Sequence, residues 1–437
     1  MQSPRIDRDE LGQGASIEES KKPSFLSQLG PGLITGASDD DPSGIATYSQ
    51  VGAQFGYGLL WVMLFSYPLM ACIQMIAGRI GRVTGRGIAG NMRRHYPRWL
   101  VFVSVSGVMI ANVINLGADI GAMGASLKLL VGGPEILFSA IFAVFSLVVQ
   151  VTVPYHRYVH FLKWLTLALF AYVATVFVVK VDWGAALKST LVPSMSLKPA
   201  FLTSLVAVLG TTISPYLFFW QASEEVEEIQ LAKKDSPLIY APWQASVQMR
   251  RIQNDTFSGM AFSNLVAFFI ILSVAATLHA NGVTNISKAE DAAKALRPIA
   301  GNFAFLLFAL GIIGTGLLAI PVLAGSAAYA VGEGLHWKVG LERKAVNAKG
   351  FYGVMSAAIL VGLGLNMLHI DPIKALFWSA VVNGVAAGPI MITMMLMASN
   401  KKVMGQFTLG PKIKVMGWIS TMVMVACAAL MFAYWGQ

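Results

Sequence analysis

Three consecutive aspartates, Asp39, Asp40 and Asp41, lie inside a stretch of otherwise membrane-like sequence, GPGLITGASDDDPSGIATYSQ, and are followed at once by Pro42 and Gly44. A carboxylate in the hydrocarbon core of a bilayer costs kilocalories, so it is retained where it faces a cavity or a cation. Pro42 has no amide hydrogen and disfavours helical geometry in the residue before it. An acidic break in a membrane helix is typical of the cation sites of secondary transporters.

The composition is that of a protein that crosses a membrane many times. Of its 437 residues, 56% are hydrophobic and 12% are charged, whereas about a quarter of the residues in soluble domains are charged. A membrane-spanning helix needs about 20 apolar residues, and the hydropathy pattern predicts an all-α polytopic protein with eleven such helices. The predicted spans are 29–56, 59–78, 99–127, 136–153, 159–180, 199–222, 256–280, 302–332, 351–369, 373–398 and 413–435.

The polar N-terminal segment, residues 1–24, lacks the apolar core of a secretory signal peptide. We interpret it as a disordered cytoplasmic tail. The chain has two cysteines, Cys72 and Cys427, which lie far apart in the sequence within apolar spans. This placement argues against a disulfide framework and against a metal site built from thiolates.

The net charge of +10 is explained by basic residues in the loops on one side of the membrane, and it requires no nucleic-acid partner. Most of the 32 Lys and Arg residues fall on one side of the predicted spans, and basic loops stay in the cytoplasm. The pattern predicts an integral protein of a bacterial inner membrane, with a cytoplasmic N-terminus and an external C-terminus. It indicates no cofactor, and no obligate protein partner in addition to the lipid bilayer.

Two groups of charged residues are assigned to the cytoplasmic boundary of the membrane. Arg79, Arg82 and Arg86 are interpreted as anchors on the bilayer surface. Glu224 and Glu225 follow the sixth span and are interpreted as a solvated extension of that helix, although they could also attract cations to the cytoplasmic mouth. Both interpretations place the charges at the surface.

The order of the spans suggests two related halves. Residues 25–180 hold spans one to five, residues 199–398 hold spans six to ten, and the eleventh span, in 413–437, lies outside this repeat and is peripheral. Each half opens with an interrupted helix, and the second interruption runs from Thr211 to Tyr216. Because five is an odd number, the second half enters the membrane with opposite polarity, and matched breaks in an inverted repeat point to the binding site. A simple proline kink is the alternative interpretation of the second break.

The first break resembles that of the NRAMP family of divalent-metal transporters. That family carries Asp-Pro-Gly-Asn in its broken first helix. Asp41 and Pro42 match its Asp-Pro, whereas Ser43 stands at the Gly and Gly44 at the Asn ligand.

The second break resembles the family's broken sixth helix, which carries Met-Pro-His. Pro215 matches the Pro, whereas Ser214 replaces the metal-binding Met and Tyr216 replaces the His. These departures are similar to the divergent NRAMP-related branch that includes magnesium transporters. The resemblance implies a LeuT-type fold with a 5+5 inverted repeat, and transport by alternating access.

The resemblance also bears on proton coupling. The related transporters place His after the sixth-helix Pro and an Asp one turn before the acid of the third helix, where this chain has Tyr216 and Leu116. Tyrosine titrates near pH 10 and cannot relay protons as imidazole does. We therefore expect weak or absent proton coupling.

The breaks supply the first candidate ligands of a cation. Asp41 is the leading candidate, with a helix N-cap as the alternative role. Asp40 and Asp39 are secondary candidates, because three adjacent carboxylates cannot all point at one ion. Ser214 and the carbonyl of Thr211 are candidates from the sixth span, although a serine in a membrane helix also bonds back to its own helix.

Other candidate ligands lie elsewhere in the chain. Asp119 in the third span follows Asn115 by four residues, so both lie on one helix face, and the resemblance makes Asp119 a second carboxylate near the ion. Gly44 is a candidate through its place at the family's ligand position, and Tyr216 is a secondary one. Asn383 in the tenth span is a secondary candidate that could equally join two helices.

The chemistry of these candidates favours a hard cation. Every candidate donor is an oxygen, and oxygen-only sites suit Mg²⁺, Ca²⁺ and Mn²⁺, whereas thioether and imidazole groups favour softer metals. A site with few protein ligands can retain water, as Mg²⁺ sites usually do. We predict a secondary transporter, not an enzyme, that prefers Mg²⁺ and also carries Mn²⁺.

Four alternative functions remain. The nearest is a proton-coupled Mn²⁺/Fe²⁺ symporter of the ordinary NRAMP type. An amino-acid transporter of the same fold would hold a substrate carboxylate that three aspartates repel. An intramembrane aspartyl protease would need two acids that share a proton, and would leave the paired breaks unexplained. A cation channel would differ from a carrier in showing no saturation of flux.

Overall fold

The computed structural model describes residues 35–36, 38–153, 165–232, 234–286, 288–368 and 370–436. All regular secondary structure in these ranges is helical, which confirms the predicted all-α class. The tail predicted at residues 1–24 and the start of the first span, 29–34, lie outside the described residues.

The helices follow the predicted order of spans. Before the second break they are α1 Pro42–Phe55, α2 Leu60–Thr84, α3 Arg98–Val131, α4 Glu135–Thr152, α5 Phe170–Val178 and α6 Pro199–Thr212. After it they are α7 Pro215–Leu231, α8 Ala245–Thr277, α9 Ala304–Leu335, α10 Lys349–Leu365, α11 Pro372–Ser399 and α12 Pro411–Ala433. Short helices connect them at Ile88–His95, Trp183–Leu191, Ala289–Ala293, Arg297–Ala300 and Lys401–Met404.

By length and composition, nine helices within the described ranges could cross a membrane, with α6 and α7 counted as one. The other two predicted spans are incomplete in these ranges. The first includes the 14-residue helix α1, and the fifth includes the short apolar helix Leu167–Val178. The predicted integral membrane protein is confirmed, but the count of eleven spans is not.

Both predicted breaks are present. Residues Ser38 and Asp39 are helical, Asp40 and Asp41 are not, and α1 begins at Pro42. In the second half, α6 ends at Thr212 and α7 begins at Pro215. A proline suits the first position of a helix, where an amide hydrogen would have no partner. It also prevents the helix before it from extending into the helix after it.

Small residues bring the second break against α11. A methyl group at Gly210 would lie 2.1 Å from the carbonyl oxygen of Ala380, and one at Gly384 would lie 2.5 Å from the carbonyl oxygen of Val206. These backbones can approach so closely only because both positions lack a side chain. The contact fixes the end of α6 beside the middle of α11.

The surface positions expected for Arg82 and Glu225 are wrong. Arg82 is 1% exposed and its guanidinium contacts the carboxylate of Asp235. Glu225 is fully buried and lies 2.5 Å from Arg251. Asp235, in the segment that follows α7, partners Arg82, and Arg251 on α8 partners Glu225, so both charges are paired inside the protein.

Candidate metal site

Asp41 caps helix α1 and also contacts two other helices. Its Oδ1 accepts hydrogen bonds from the amide of Gly44 at 2.8 Å and from the hydroxyl of Ser43 at 2.6 Å. Its Oδ2 accepts one from Nδ2 of Asn115 on α3 at 2.9 Å and lies 3.4 Å from the hydroxyl of Tyr216 on α7. The N-cap and a ligand role therefore do not exclude each other, because one oxygen caps while the other faces α3 and α7.

Each break also leaves one backbone carbonyl without its usual helical donor. A carbonyl normally accepts from the amide four residues later, and that residue is Pro42 for Ser38 and Pro215 for Thr211. The hydroxyl of Tyr216 lies 3.2 Å from the carbonyl of Ser38, and the hydroxyl of Ser214 lies 2.8 Å from that of Thr211. Each break thus presents one such carbonyl oxygen.

Helix α3 adds an amide and a second carboxylate. Asn115 bonds to Asp41, and its amide oxygen lies 2.7 Å from the hydroxyl of Ser379 on α11. Asp119 is fully buried, and neither of its carboxylate oxygens has a hydrogen-bond partner among the described residues. The two acids therefore do not form the bonded pair of an aspartyl protease in this structure.

Asp39 and Asp40 face a different helix from Asp41. The hydroxyl of Ser263 on α8 lies 2.6 Å from Oδ2 of Asp39 and 3.2 Å from Oδ1 of Asp40. The remaining oxygen of each carboxylate has no hydrogen-bond partner in the described ranges. The acidic triplet is therefore divided, with Asp41 directed to α3 and α7 and the other two directed to α8.

The remaining candidate ligands differ in their hydrogen bonds. The amide of Gly44 belongs to the cap of Asp41. The hydroxyl of Ser214 lies 2.7 Å from the carbonyl of Gly210, so the serine bonds back to its own helix as the alternative interpretation expected. Asn383 is buried, and both polar atoms of its amide lack partners among the described residues. The structure does not join Asn383 to the hydrogen bonds around Asp41.

The site holds four buried carboxyl groups and no described basic partner. Asp39, Asp40, Asp41 and Asp119 are each at most 1% exposed, and none forms an ion pair with a described Lys or Arg. Among the described residues, no group of three His, Cys, Asp or Glu side chains is placed to hold a metal ion. A cation here would be held by one or two carboxylates together with neutral oxygens.

Several polar partners at this site were not anticipated from the sequence. They are Ser263, Ser379 and Tyr48, whose hydroxyl lies 3.0 Å from that of Thr211. Single hydroxyl residues are common in membrane helices, where they bond to the backbone of their own helix. No sequence pattern distinguishes these three from the others.

Comparison with known proteins identifies the family. The model of the "Natural resistance-associated macrophage protein-like" (Nramp) family matches residues 32–434. The chain belongs to the Nramp family. Nramp proteins are transporters of divalent metal ions, so this chain is a metal transporter and not an enzyme.

Solved structures show the same fold. A manganese transporter of Eremococcus coleocola in complex with an aromatic bis-isothiourea compound is 18% identical, with a TM-score of 0.73, over 98% of this chain and 90% of that one. A mutant of that transporter is 17% identical, with a TM-score of 0.74, over 99% and 93% of the two chains. Mhp1, a nucleobase-cation-symport-1 family transporter in a closed conformation, is 14% identical, with a TM-score of 0.55 over 93% of each chain. The Nramp chain thus has the predicted LeuT-type fold, which transporters of other substrates share.

Proposed function

We propose that this Nramp chain carries Mg²⁺ as its preferred substrate, and Mn²⁺ as well, by alternating access with weak or no proton coupling. The proposal includes a bacterial inner-membrane location, a cytoplasmic N-terminus and an external C-terminus. It assigns the repeats to residues 25–180 and 199–398, with 413–437 as a peripheral helix.

The observation that carries the proposal is the set of oxygen atoms at the two breaks. Asp41, the carbonyls of Ser38 and Thr211, and the side chain of Asn115 present carboxylate, carbonyl and amide groups. Oxygen donors suit hard cations, and Mg²⁺ retains water where protein ligands are few. A site with one leading carboxylate and several neutral oxygens fits a partly hydrated Mg²⁺ ion.

The contacts of Tyr216 support weak proton coupling. Its hydroxyl is directed at Asp41 and at the carbonyl of Ser38, where an imidazole would exchange protons near neutral pH. A phenol stays protonated across the physiological range. It can therefore donate a hydrogen bond at the site without carrying protons across the membrane.

Burial of the site supports alternating access. The four aspartates are at most 1% exposed, so an ion reaches them only after helices move. In transporters with inverted repeats such movement is a rocking of one helix bundle against the other around a fixed site.

The test is a metal-selectivity panel in proteoliposomes that carry a pH-sensitive dye. Asp41→Asn should abolish Mg²⁺ and Mn²⁺ uptake, because it removes the leading carboxylate. Asp371→Asn is a matched control, since Asp371 also caps a helix that begins with proline but lies outside the site. Wild-type Mg²⁺ uptake should leave the lumenal pH unchanged. Full uptake by Asp41→Asn would refute the site, and proton entry in proportion to Mg²⁺ would refute the uncoupled mechanism.

One observation favours the ordinary proton-coupled Mn²⁺/Fe²⁺ symporter instead. The sulfur of Met123 and the ring of Pro42 both lie beside Gly316: a methyl group there would be 2.5 Å from the sulfur and 3.4 Å from Cγ of the proline. Met123 thus brings a thioether close to the first break, and thioethers favour softer metals. Met123→Leu separates the candidates. If it selectively lowers Mn²⁺ uptake, the sulfur is a ligand and the symporter is favoured, whereas unchanged Mn²⁺ and Mg²⁺ uptake supports the oxygen-only site.

A further inference from the structure

A large cavity lies away from the metal site, at the face that the basic loops assign to the cytoplasm. Its volume is about 1300 Å³, and it lies between the short helix Ile88–His95, the first turns of α3 and the segment that follows α9. Four of its lining residues are arginines, namely Arg86, Arg93, Arg94 and Arg98.

Among the described residues, four arginines and one acid line this cavity, so the lining keeps a net positive charge. All four arginines are exposed, and none forms an ion pair with a described carboxylate. Glu333 is the one acid in the lining, and its carboxylate already accepts from the amide of Gly90 at 3.0 Å and from the hydroxyl of Ser223 at 3.1 Å. The positive field extends to His95, whose pKa is lowered by burial and then by the charges of Arg94 and Arg86.

The other wall of the cavity is apolar and belongs to a membrane helix. Val101, Phe102 and Val105 line it from the first turns of α3. The side chain of Phe102 is 73% exposed, and that of the neighbouring Trp99 is 65% exposed. Tryptophan is enriched where a helix enters the bilayer. The cavity therefore runs from a cluster of arginines onto an exposed apolar surface of a helix that is long and apolar enough to cross a membrane.

This combination is unfavourable for a divalent metal ion and fits one kind of ligand. Four guanidinium groups that form no ion pair with a described carboxylate repel a divalent cation, whereas they bind phosphate oxygens through several hydrogen bonds. Basic pockets between membrane helices on the cytoplasmic side bind anionic lipid headgroups. We propose that the cavity binds an anionic phospholipid of that leaflet, with its phosphate among Arg93, Arg94 and Arg98 and its acyl chains along Val101, Phe102 and Val105.

The experiment measures lipid binding to the full-length protein. Delipidated protein in a non-ionic detergent is titrated with phosphatidylglycerol, and bound lipid is counted by native mass spectrometry. The variant Arg93→Gln/Arg94→Gln/Arg98→Gln should bind at least about tenfold more weakly, because each basic residue near an anionic headgroup contributes measurably to affinity. The matched control is Lys401→Gln/Lys402→Gln/Lys412→Gln, which removes three exposed charges outside the cavity and should bind as the wild type does.

Three further arms identify the ligand. Phosphatidylcholine should bind at least about tenfold more weakly than phosphatidylglycerol, because it lacks the net negative charge that attracts the arginines. Inorganic phosphate at the same concentration should not displace the lipid. If the triple variant is not monodisperse on gel filtration, Arg98→Gln alone should weaken binding about fivefold.

The proposal is overturned by equal binding to the triple variant and wild type, by an equal loss in the lysine control, or by displacement with inorganic phosphate, which would indicate a free anion. Because none of these assays involves metal, their outcome is independent of the proposed transport function.

Discussion

Asp119 is the acid of the site with the fewest compensating contacts. It is fully buried in α3, and neither carboxylate oxygen bonds a described group. A buried, unpaired charge is costly unless a cation balances it. Asp119 therefore has the properties of a residue that stabilises the metal-bound protein and destabilises the metal-free protein.

Asp119→Asn should consequently have opposite effects on the empty and the metal-bound protein. Without divalent metal, its unfolding temperature should rise by about 2–5 °C, because the substitution removes an uncompensated charge. Added Mg²⁺ should then stabilise the variant less than it stabilises the wild type. Thermal unfolding in detergent, with and without Mg²⁺, measures both quantities. Destabilisation of the metal-free variant would show that the carboxylate has a structural partner instead.

At the scale of elements, the two helix breaks create the site. Pro42 and Pro215 each begin a helix and each deprive a carbonyl, that of Ser38 or Thr211, of its amide donor. The freed carbonyls are partnered by hydroxyl groups, which can rotate or exchange for an ion more easily than a backbone amide can. The breaks therefore convert structural hydrogen-bond acceptors into candidate ligands.

Pro215→Ala tests this role because it restores an amide that can bond to the carbonyl of Thr211. The variant should fold as well as the wild type, since a helical hydrogen bond replaces a break. Its Mg²⁺ uptake should fall at least about tenfold, because it loses one ligand contact and a contact worth roughly 1.4 kcal/mol corresponds to a factor of ten. Pro68→Ala in α2 is the control, because Pro68 lies inside a helix and not at a break, and it should retain uptake. Normal uptake by Pro215→Ala would show that the second break is not required.

At the scale of the whole molecule, buried charges and hydrogen bonds tie α7 to three other helices at one face. Arg251 on α8 lies 2.5 Å from Glu225 and 2.9 Å from Glu228, and Arg82 on α2 lies 3.9 Å from Glu228. Glu227 accepts from the hydroxyl of Tyr329 on α9. Because α7 starts at the metal site, these contacts hold the second break in place from the far end of the helix.

Arg251→Gln should destabilise the protein, whereas the double variant Arg251→Gln/Glu225→Gln should recover much of the loss. The single change leaves Glu225 buried without its partner and should lower the free energy of unfolding by about 2 kcal/mol. This is below the full cost of breaking a buried pair, because Arg251 is 21% exposed. The exposed pair Lys128–Glu135 is the control, and Lys128→Gln should cost under about 1 kcal/mol. Thermal unfolding of the wild type, Arg251→Gln, Glu225→Gln and the double variant measures the coupling, with Lys128→Gln measured beside them. A double variant no more stable than Arg251→Gln would show that the pair is not coupled.

Much of the fold and part of the site could be predicted from the sequence, because the signals involved are local. A run of apolar residues identifies a membrane helix wherever it packs, and a proline after Asp41 or Ser214 interrupts a helix whatever its neighbours are. The same local reasoning placed Asp119 and Asn115 on one face of α3. It failed for Arg82 and Glu225, since a charge after a span has the same sequence signature whether it faces water or a distant partner.

The sequence by itself determined the class of the protein, the two breaks and the acids that lie near them, since hydropathy and backbone chemistry act over a few neighbouring residues. Only the tertiary structure decided how the acids are divided, with Asp41 held by Asn115, and with Asp39 and Asp40 facing Ser263. It also decided that the sulfur of Met123 lies close to the first break. The physical reason is that these contacts join residues far apart in the chain, and their geometry depends on how whole helices pack.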